Sequence, residues 1–575
     1  MLVLNGSLVT RSRTDTLLVP TVPSHFALSR ESKLVFVGLM VGMLVASISQ
    51  TMVSPAMPVI VAELGGMKYY SWLATSAMLA SAVIVPVVGK LSDLYGRRVF
   101  YISGLAIFLT GTALSGFATS FAWLVGARVV QGIGMGTLMP LSQVIIGDII
   151  PPRQRGKYQG IMGAVFGVTS VAGPLAGGFI TDNWGWRWLF FVSLPLGLLA
   201  LAFIGKFLKL PHTPRKAVID VPGILLLSGA LISILLGTSW GGVTYPWGSW
   251  QVLTAFGIGA VLLAVLIPVE LRAVEPVIPL RLFKDSTFTI SNIASLTIGM
   301  AMFGAIFYIP VYAQGVMGAD VTSSGAIVMP MSLAMILTSI VVGLLITRTG
   351  KYKPFMVAAT FLIVGGYVLL AQLTYGDAPW QLMLAMVVLG TGLGGTMSTY
   401  VLVVQNTARP KDLGIATSAT QFFRSAGATV GIAVFGTIWT SRVGEKVATH
   451  LPTGAEDAMP AGGVDVGSVL DPGALAQLPA PVAEAIRNGL ADALHDVFVF
   501  GLPIVLIAVI ATLFLKVLPL RDTLHTADPK EKVEDALAAE VASEPAPVLA
   551  GANASPSEPP AEPDSSSATR DLRTE

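Results

Sequence analysis

The string GKLSDLYGRR, Gly89 to Arg98, places Asp93 just ahead of Arg97 and Arg98 and frames the group with Gly89 and Gly96. Two glycines suit a tight turn whose backbone comes close to a neighbour. The carboxylate between them can accept hydrogen bonds from a helix N-terminus or pair with either arginine. Such a cluster can act as a latch that opens and closes; an ordinary basic loop beside a membrane would use the same residues. Two more arginines lie inside long apolar runs, Arg128 with Gln131 in ARVVQGIGMG and Arg424 with Gln421 in TQFFRSAGATVG. An arginine at the centre of a bilayer costs roughly 2.5–3.5 kcal/mol on insertion scales, so each should face a bundle interior or a wet cavity. ISQTMVSPAMP, Ile48 to Pro58, adds Ser49, Gln50, Thr51 and Ser54, which can hydrogen-bond a bound molecule but carry no charge. GVTSVAGPLAGG contributes Gly173, Pro174, Gly177 and Gly178. Its small residues admit a neighbouring helix and its proline bends its own, although plain tight packing would use the same pattern.

Other chemistries find no support. The chain has no cysteine, which excludes disulfides, thiolate metal sites and cysteine nucleophiles. Its histidines, His25, His212, His450, His495 and His525, are read as lying outside the apolar runs. No phosphate-cradling loop, acidic metal cluster or serine nucleophile with a buried base is present, so neither an enzyme nor a cofactor, metal or nucleic-acid partner is expected.

These residues need membrane-spanning helices to position them. Of 575 residues, 53% are hydrophobic and 12% charged, and the mean hydropathy is +0.74; a soluble protein of this size is far less apolar. About fourteen runs are long enough to cross roughly 30 Å of hydrocarbon. They predict an all-α polytopic membrane protein with the lipid bilayer as its surroundings. Lys90, Arg97, Arg98, Arg153, Arg155, Lys157, Arg348, Lys351 and Arg409 fall in the even-numbered connections. Cytoplasmic loops collect such residues, which puts both termini in the cytoplasm.

The expected organisation is a cytoplasmic extension at 1–33, a six-helix lobe at 34–208, two extra helices at 209–286, and a second six-helix lobe at 287–519. An outer loop at 442–496 and a disordered cytoplasmic tail at 520–575, free of aromatic residues, complete it. Val482, Ile486, Leu490 and Leu494 recur at helical spacing and predict an amphipathic helix before the last span; a partner on the outer face could dock at this loop. Gly89 and Gly96, followed by Arg97, recur as Gly343 and Gly350, followed by Lys351. Repeated halves around a midplane site are a transporter architecture.

Together these strings resemble the major facilitator superfamily, and the span count resembles its fourteen-span drug:proton antiporter branch. GKLSDLYGRR resembles the loop between spans two and three, RVVQG the fourth-span basic motif, GPLAGG the fifth-span antiporter motif, WRWLFFVSLPLG the start of the sixth span, and QFFRSAG a late-span arginine motif. The resemblance implies a major facilitator fold that exports amphipathic small molecules, drugs or secondary metabolites, across the plasma membrane by alternating access and in exchange for protons. It implies Gly89, Asp93, Gly96, Arg97 and Arg98 as the latch, Arg128 in proton coupling, and Gly173-Pro174 as a bend.

Three positions depart from the pattern: Leu94 replaces a basic residue, Ser193 an asparagine, and Ser49 an aspartate of the first-span motif. Neither serine nor arginine releases a proton in the working range. Coupling is therefore expected through an edge carboxylate, Asp148 or Asp93, with Arg128 as its charge partner. Two cavity arginines without a carboxylate favour neutral or anionic cargo, lipids included. A non-transporting membrane partner on the same scaffold is the reading from a different class.

Overall fold

The computed structural model describes residues 30–64, 72–208, 219–241, 245–319, 321–451 and 479–520. Residues 1–29, the centre of the outer loop and the tail beyond 520 lie outside them, as does the side chain of Ser54. The first lobe comprises α1 (Arg30–Leu64), α2 (Trp72–Tyr95), α3 (Arg97–Gly116), α4 (Phe121–Ile149), α5 (Pro152–Trp184), a single turn α6 (Trp188–Phe191) and α7 (Ser193–Phe207). A hairpin of α8 (Val221–Trp240) and α9 (Trp250–Arg272) follows. The second lobe comprises α10 (Ser286–Val311), α11 (Val321–Thr349), α12 (Lys353–Ala371), α13 (Pro379–Met397), α14 (Thr399–Thr407), α15 (Leu413–His450) and α16 (Ala480–Phe514). With α6–α7 and α13–α14 each crossing as one unit, 14 segments among the described residues are long and apolar enough to span a membrane.

Local chemistry sets the boundaries. Gly96 joins α2 to α3 at φ 97° and Gly350 follows α11 at φ 68°, a left-handed conformation that side chains disfavour. The repeated glycines thus occupy equivalent turns in the two lobes. Asp220 caps α8 by accepting from the Gly223 amide at 2.8 Å, and Asp285 caps α10 by accepting from Thr287 at the same distance. Pro151 and Pro152 open α5, since the first turn of a helix needs no amide donor from them.

Each lobe has its own core. Leu39, Tyr101, Leu138 and Ile204 belong to one cluster of the first lobe, and Met52, Ile60, Leu124 and Phe190 to another. Ile298, Met335, Tyr367, Leu389, Phe435 and Phe498 belong to the largest cluster, in the second lobe. The α8–α9 hairpin buries Leu227, Leu231 and Leu266 and reaches both Val83 of α2 and Phe422 of α15, so it covers the seam between the lobes.

The outer loop expected at 442–496 is shorter than that. Helix α15 continues to His450 and α16 begins at Ala480. At 1.5 Å per residue these helices reach well beyond roughly 30 Å of hydrocarbon. Val482, Ile486, Leu490 and Leu494 are buried in the second-lobe core beside Val443 and Val447 of α15. The amphipathic segment is therefore the first part of the last spanning helix itself. His495, expected outside the spans, lies on it and bonds the Ala371 carbonyl.

Candidate functional site

The lobes meet at the end of the bundle that carries the basic connections. Asp93, near the end of α2, accepts from the amides of Gly414 at 3.1 Å and Ile415 at 3.0 Å, the first turn of α15 in the other lobe. Unbonded amides and the helix dipole make that turn a place for an anion. Arg97 donates to Asp93 through one guanidinium nitrogen and, through Nε, to Asp148 at 2.7 Å. Gly89 faces Ser418 and Gly414 so closely that a Cβ there would overlap them.

The equivalent glycine of the second lobe does the same at the other seam, where Gly343 of α11 lies against the backbone of Gly156 in α5. Arg155, 1% exposed, donates to the carbonyls of Ile150 at 2.7 Å, Gly147, and Gln405 of the second lobe. Gln159 donates to Gln405 at 3.0 Å, Ser398 donates to the Gln159 carbonyl at 3.0 Å, and Ser339 donates to that of Gly160 at 3.1 Å. Charge-assisted and neutral hydrogen bonds thus close this end along both seams.

The first-lobe interior holds a different arrangement. Arg128, 2% exposed, donates to Gln131 Oε1 at 2.6 Å and to the Leu73 carbonyl at 3.2 Å. Gln131 then donates to Ser49 at 3.0 Å and Thr112 at 2.8 Å. Every partner is neutral, and all belong to the first lobe. In the second lobe Arg424 donates to Gln421 and to the Met397 carbonyl, the latter at 3.3 Å.

Several expectations need correction. Arg128 is not the partner of Asp148; Arg97 is. Twenty residues separate Arg128 from Asp148 on α4, about 30 Å at 1.5 Å per residue. Arg98 does not join the latch, since it donates to the Gly205 carbonyl of its own lobe at 2.7 Å. The expected cavity residues do not gather at one wall. Ser49 faces α4, whereas Thr51 donates to the Thr169 carbonyl of α5 at 3.0 Å. Consecutive helical residues point about 100° apart, so Ser49, Gln50 and Thr51 cannot share a face. Gln131 and Gln421 are buried among their bonding partners, while Gln50 and Arg424 are half-buried.

Within the GPLAGG string, Gly173 and Gly177 pack against Thr51 and the Met52 backbone of α1, whereas Gly178 faces open space. Helix α5 continues through Pro174 to Trp184.

Three features escaped the sequence reading. Arg155 reads as part of a basic connection, although Pro151-Pro152 ahead of it mark a helix start and put it in the first turn. Gln405 carries no charge to betray its buried position. Glu270, 4% exposed at the end of α9, is a buried acid missed because it sits at the edge of a very apolar run.

At the opposite end, Glu63 accepts from Arg187 at 2.6 Å and from the Trp186 indole at 2.7 Å. The Arg187 hydrogen bond, then that of Trp186, hold its carboxyl below the usual value of 4.5.

Two lobes of spanning segments joined along two seams at one end, with a hairpin of two further spans over the boundary between them, define a polytopic membrane protein of the two-lobed transporter class. The sequence profile of the Major Facilitator Superfamily matches residues 39–432, and the chain belongs to that family. It is a membrane transporter rather than an enzyme. Multidrug transporter protein MdtP of Bacillus subtilis (strain 168) is 36% identical over 539 residues, covering 89% of this chain and 99% of that protein. Multidrug resistance protein 3 of the same organism is 33% identical over 84% of this chain and 95% of its own length. The crystal structure of the human organic anion transporter MFSD10 matches with a TM-score of 0.56 at 15% identity, over 83% of this chain and all of that one, a likeness of fold.

Proposed function

We propose that this chain is a secondary active exporter of amphipathic small molecules, drugs or secondary metabolites, working by alternating access and driven by protons. The observation that carries the reading is Asp93 seated on the first turn of α15, a contact between lobes built from hydrogen bonds rather than continuous core. Relatives named as multidrug transporters support the class of cargo. In this reading the basic end faces the cytoplasm of a plasma-membrane protein, and breaking the Asp93 contact opens the inward path. Asp148, partly exposed and sharing Arg97 with Asp93, is the edge carboxylate through which protons exchange with water. Ser49 leaves the first-lobe interior without a titratable acid, and Arg128 and Arg424 favour neutral or anionic cargo over lipophilic cations.

The test is a survey of compounds in proteoliposomes holding the full chain, with internal pH recorded as each compound is added. Proton movement on addition of a cargo, lost in Asp148→Asn and Asp93→Asn, is the expected result. Proton movement unchanged in both variants refutes the coupling route, and ethidium-like cations as best cargo refute the charge preference. A parallel Ser49→Asp protein should add a second titrating group to the profile.

A further inference from the structure

The α8–α9 hairpin holds a buried acid that the transport reading leaves unused. Glu270 lies near the end of α9, 4% exposed, and its Oε1 accepts from the Ile278 amide at 3.3 Å. Its Oε2 is buried without a hydrogen bond of normal geometry, although the Val277 amide also lies beside this carboxylate. Asp220, at the start of α8, uses Oδ1 to cap its helix, while its Oδ2 is buried and unpartnered. The hairpin packs the start of α8 on the end of α9 through Leu227, Leu231 and Leu266, which brings the two carboxylates to the same end of it. A buried acceptor without a donor is costly, and two neighbouring carboxylates do not both stay ionised cheaply. Binding a single proton leaves the pair with one negative charge instead of two, which lessens that cost.

The pair also sits where it can influence the seam. The connection after α9 carries Glu275, which accepts from Lys90 Nζ of α2 at 2.6 Å. A few residues on, Arg281 donates to both Asp412 oxygens at 2.8 and 3.0 Å, directly before the α15 turn that holds Asp93. This connection is a strap from the first lobe to the second. The charged groups acting on Glu270 are Asp220 from α8 and Lys90 from α2, and Lys90 is itself held by Glu275 of the strap.

We propose that Glu270 and Asp220 form a proton-binding site in the hairpin, and that the bound proton governs the Lys90–Glu275 end of the strap. Resting on the proton-driven export reading, this adds a site away from the Asp93 latch. With the proton bound, the pair carries one negative charge and Lys90 stays with Glu275. When the proton leaves, a second negative charge appears beside Lys90, the ammonium is drawn from Glu275, and the strap's hold across the seam weakens.

The experiment is infrared titration of the purified full chain, following the carbonyl stretch of a protonated buried carboxylic acid. Glu270→Gln keeps an oxygen for the Ile278 amide and Asp220→Asn keeps the helix cap, so both should fold. The expected result is a band that disappears as pH rises in the wild type and is missing from both variants. The same titration in wild type and both variants overturns the site. The chain has no cysteine, so spin labels at Lys157→Cys and Arg348→Cys, exposed positions on α5 and α11, report the seam without background. Their separation should lengthen with rising pH in the wild type and stay constant in Glu270→Gln; a pH-dependence that survives in the variant overturns the link to the strap. Neither measurement uses a cargo, so failure of the export reading would show in the vesicle survey and not here.

Discussion

Two arginine sites in the same lobe show how the company of a charge decides what it can do. Arg97 lies between two carboxylates, one of which also holds the other lobe by its helix amides. Arg128 lies among a glutamine, a serine, a threonine and a carbonyl of its own lobe. The first site can come apart, because opening exposes both ions and the α15 amides to water, which solvates them in compensation. The second has nothing to separate from, and moving Arg128 would leave its neutral partners unsatisfied in a dry interior. The difference separates a switching site from a fixed one, and the sequence shows part of it: Arg97 reads as a member of a charged turn and Arg128 as a lone charge in an apolar run.

The largest test breaks the switching site. Asp93→Ala removes the anion from the α15 turn and leaves Arg97 with Asp148 as its one carboxylate partner, beside the Ser92 hydroxyl. Removing one partner of a buried pair costs about 3–5 kcal/mol, and on that scale the closed population falls by about a hundredfold or more. Spin labels at Lys157→Cys and Arg348→Cys should show the longer separation as the main population. An unchanged separation would mean that the Arg155–Gln405 seam closes this end without Asp93.

The fixed site should answer with stability instead. Arg128→Met leaves Gln131 Oε1 without its donor, at about 1–3 kcal/mol for a buried unsatisfied group. Thermal unfolding in detergent should fall, while the label separation across the seam stays as in the wild type. A shift in that separation would make Arg128 part of the switch and erase the contrast. Gly173→Ala makes the same point on α5. A Cβ there overlaps Thr51, and overpacking typically costs about 1–3 kcal/mol. Thr51→Ala removes the Oγ1 overlap but keeps Cβ, so it should restore only part of the loss, and Gly178→Ala, with nothing within 4 Å, should leave the unfolding temperature near the wild-type value.

The same contrast explains what the sequence could reveal. Fourteen apolar runs, the paired glycines and the Asp93 turn are legible because each depends on composition or on neighbours in the chain. Gly343 even repeats the role of Gly89 at the other seam, as the repeat implies. Arg155 and Gln405 meet across 250 residues, and no local pattern announces such a pair. Ser49, Gln50 and Thr51 read as one polar wall only until helical geometry turns them to different neighbours. Glu270 escaped because the hydrophobicity of a run locates the helix, while burial of its end depends on the strap folding back over it.

The smallest effect belongs to the end opposite the latch. Glu63 meets Arg187 and Trp186, but its side chain is 48% exposed and that of Arg187 38%. Water screens a pair this open, so it is worth about 0–1 kcal/mol. Its carboxyl is held below its ordinary 4.5, so the folded state prefers the ionised form. The stabilisation is therefore complete above pH 4.5 and is lost as pH falls through the lowered folded value. Glu63→Gln should lower the unfolding temperature slightly at neutral pH, and the difference from wild type should vanish once Glu63 is protonated in both folded and unfolded chains. A gap that persists at acid pH would assign the effect to the hydrogen bond with Trp186, which a glutamine accepts less strongly, rather than to charge. That result would make this contact, which lies within the first lobe, a neutral one like the Arg128 interior rather than an ionic one like the Asp93 latch.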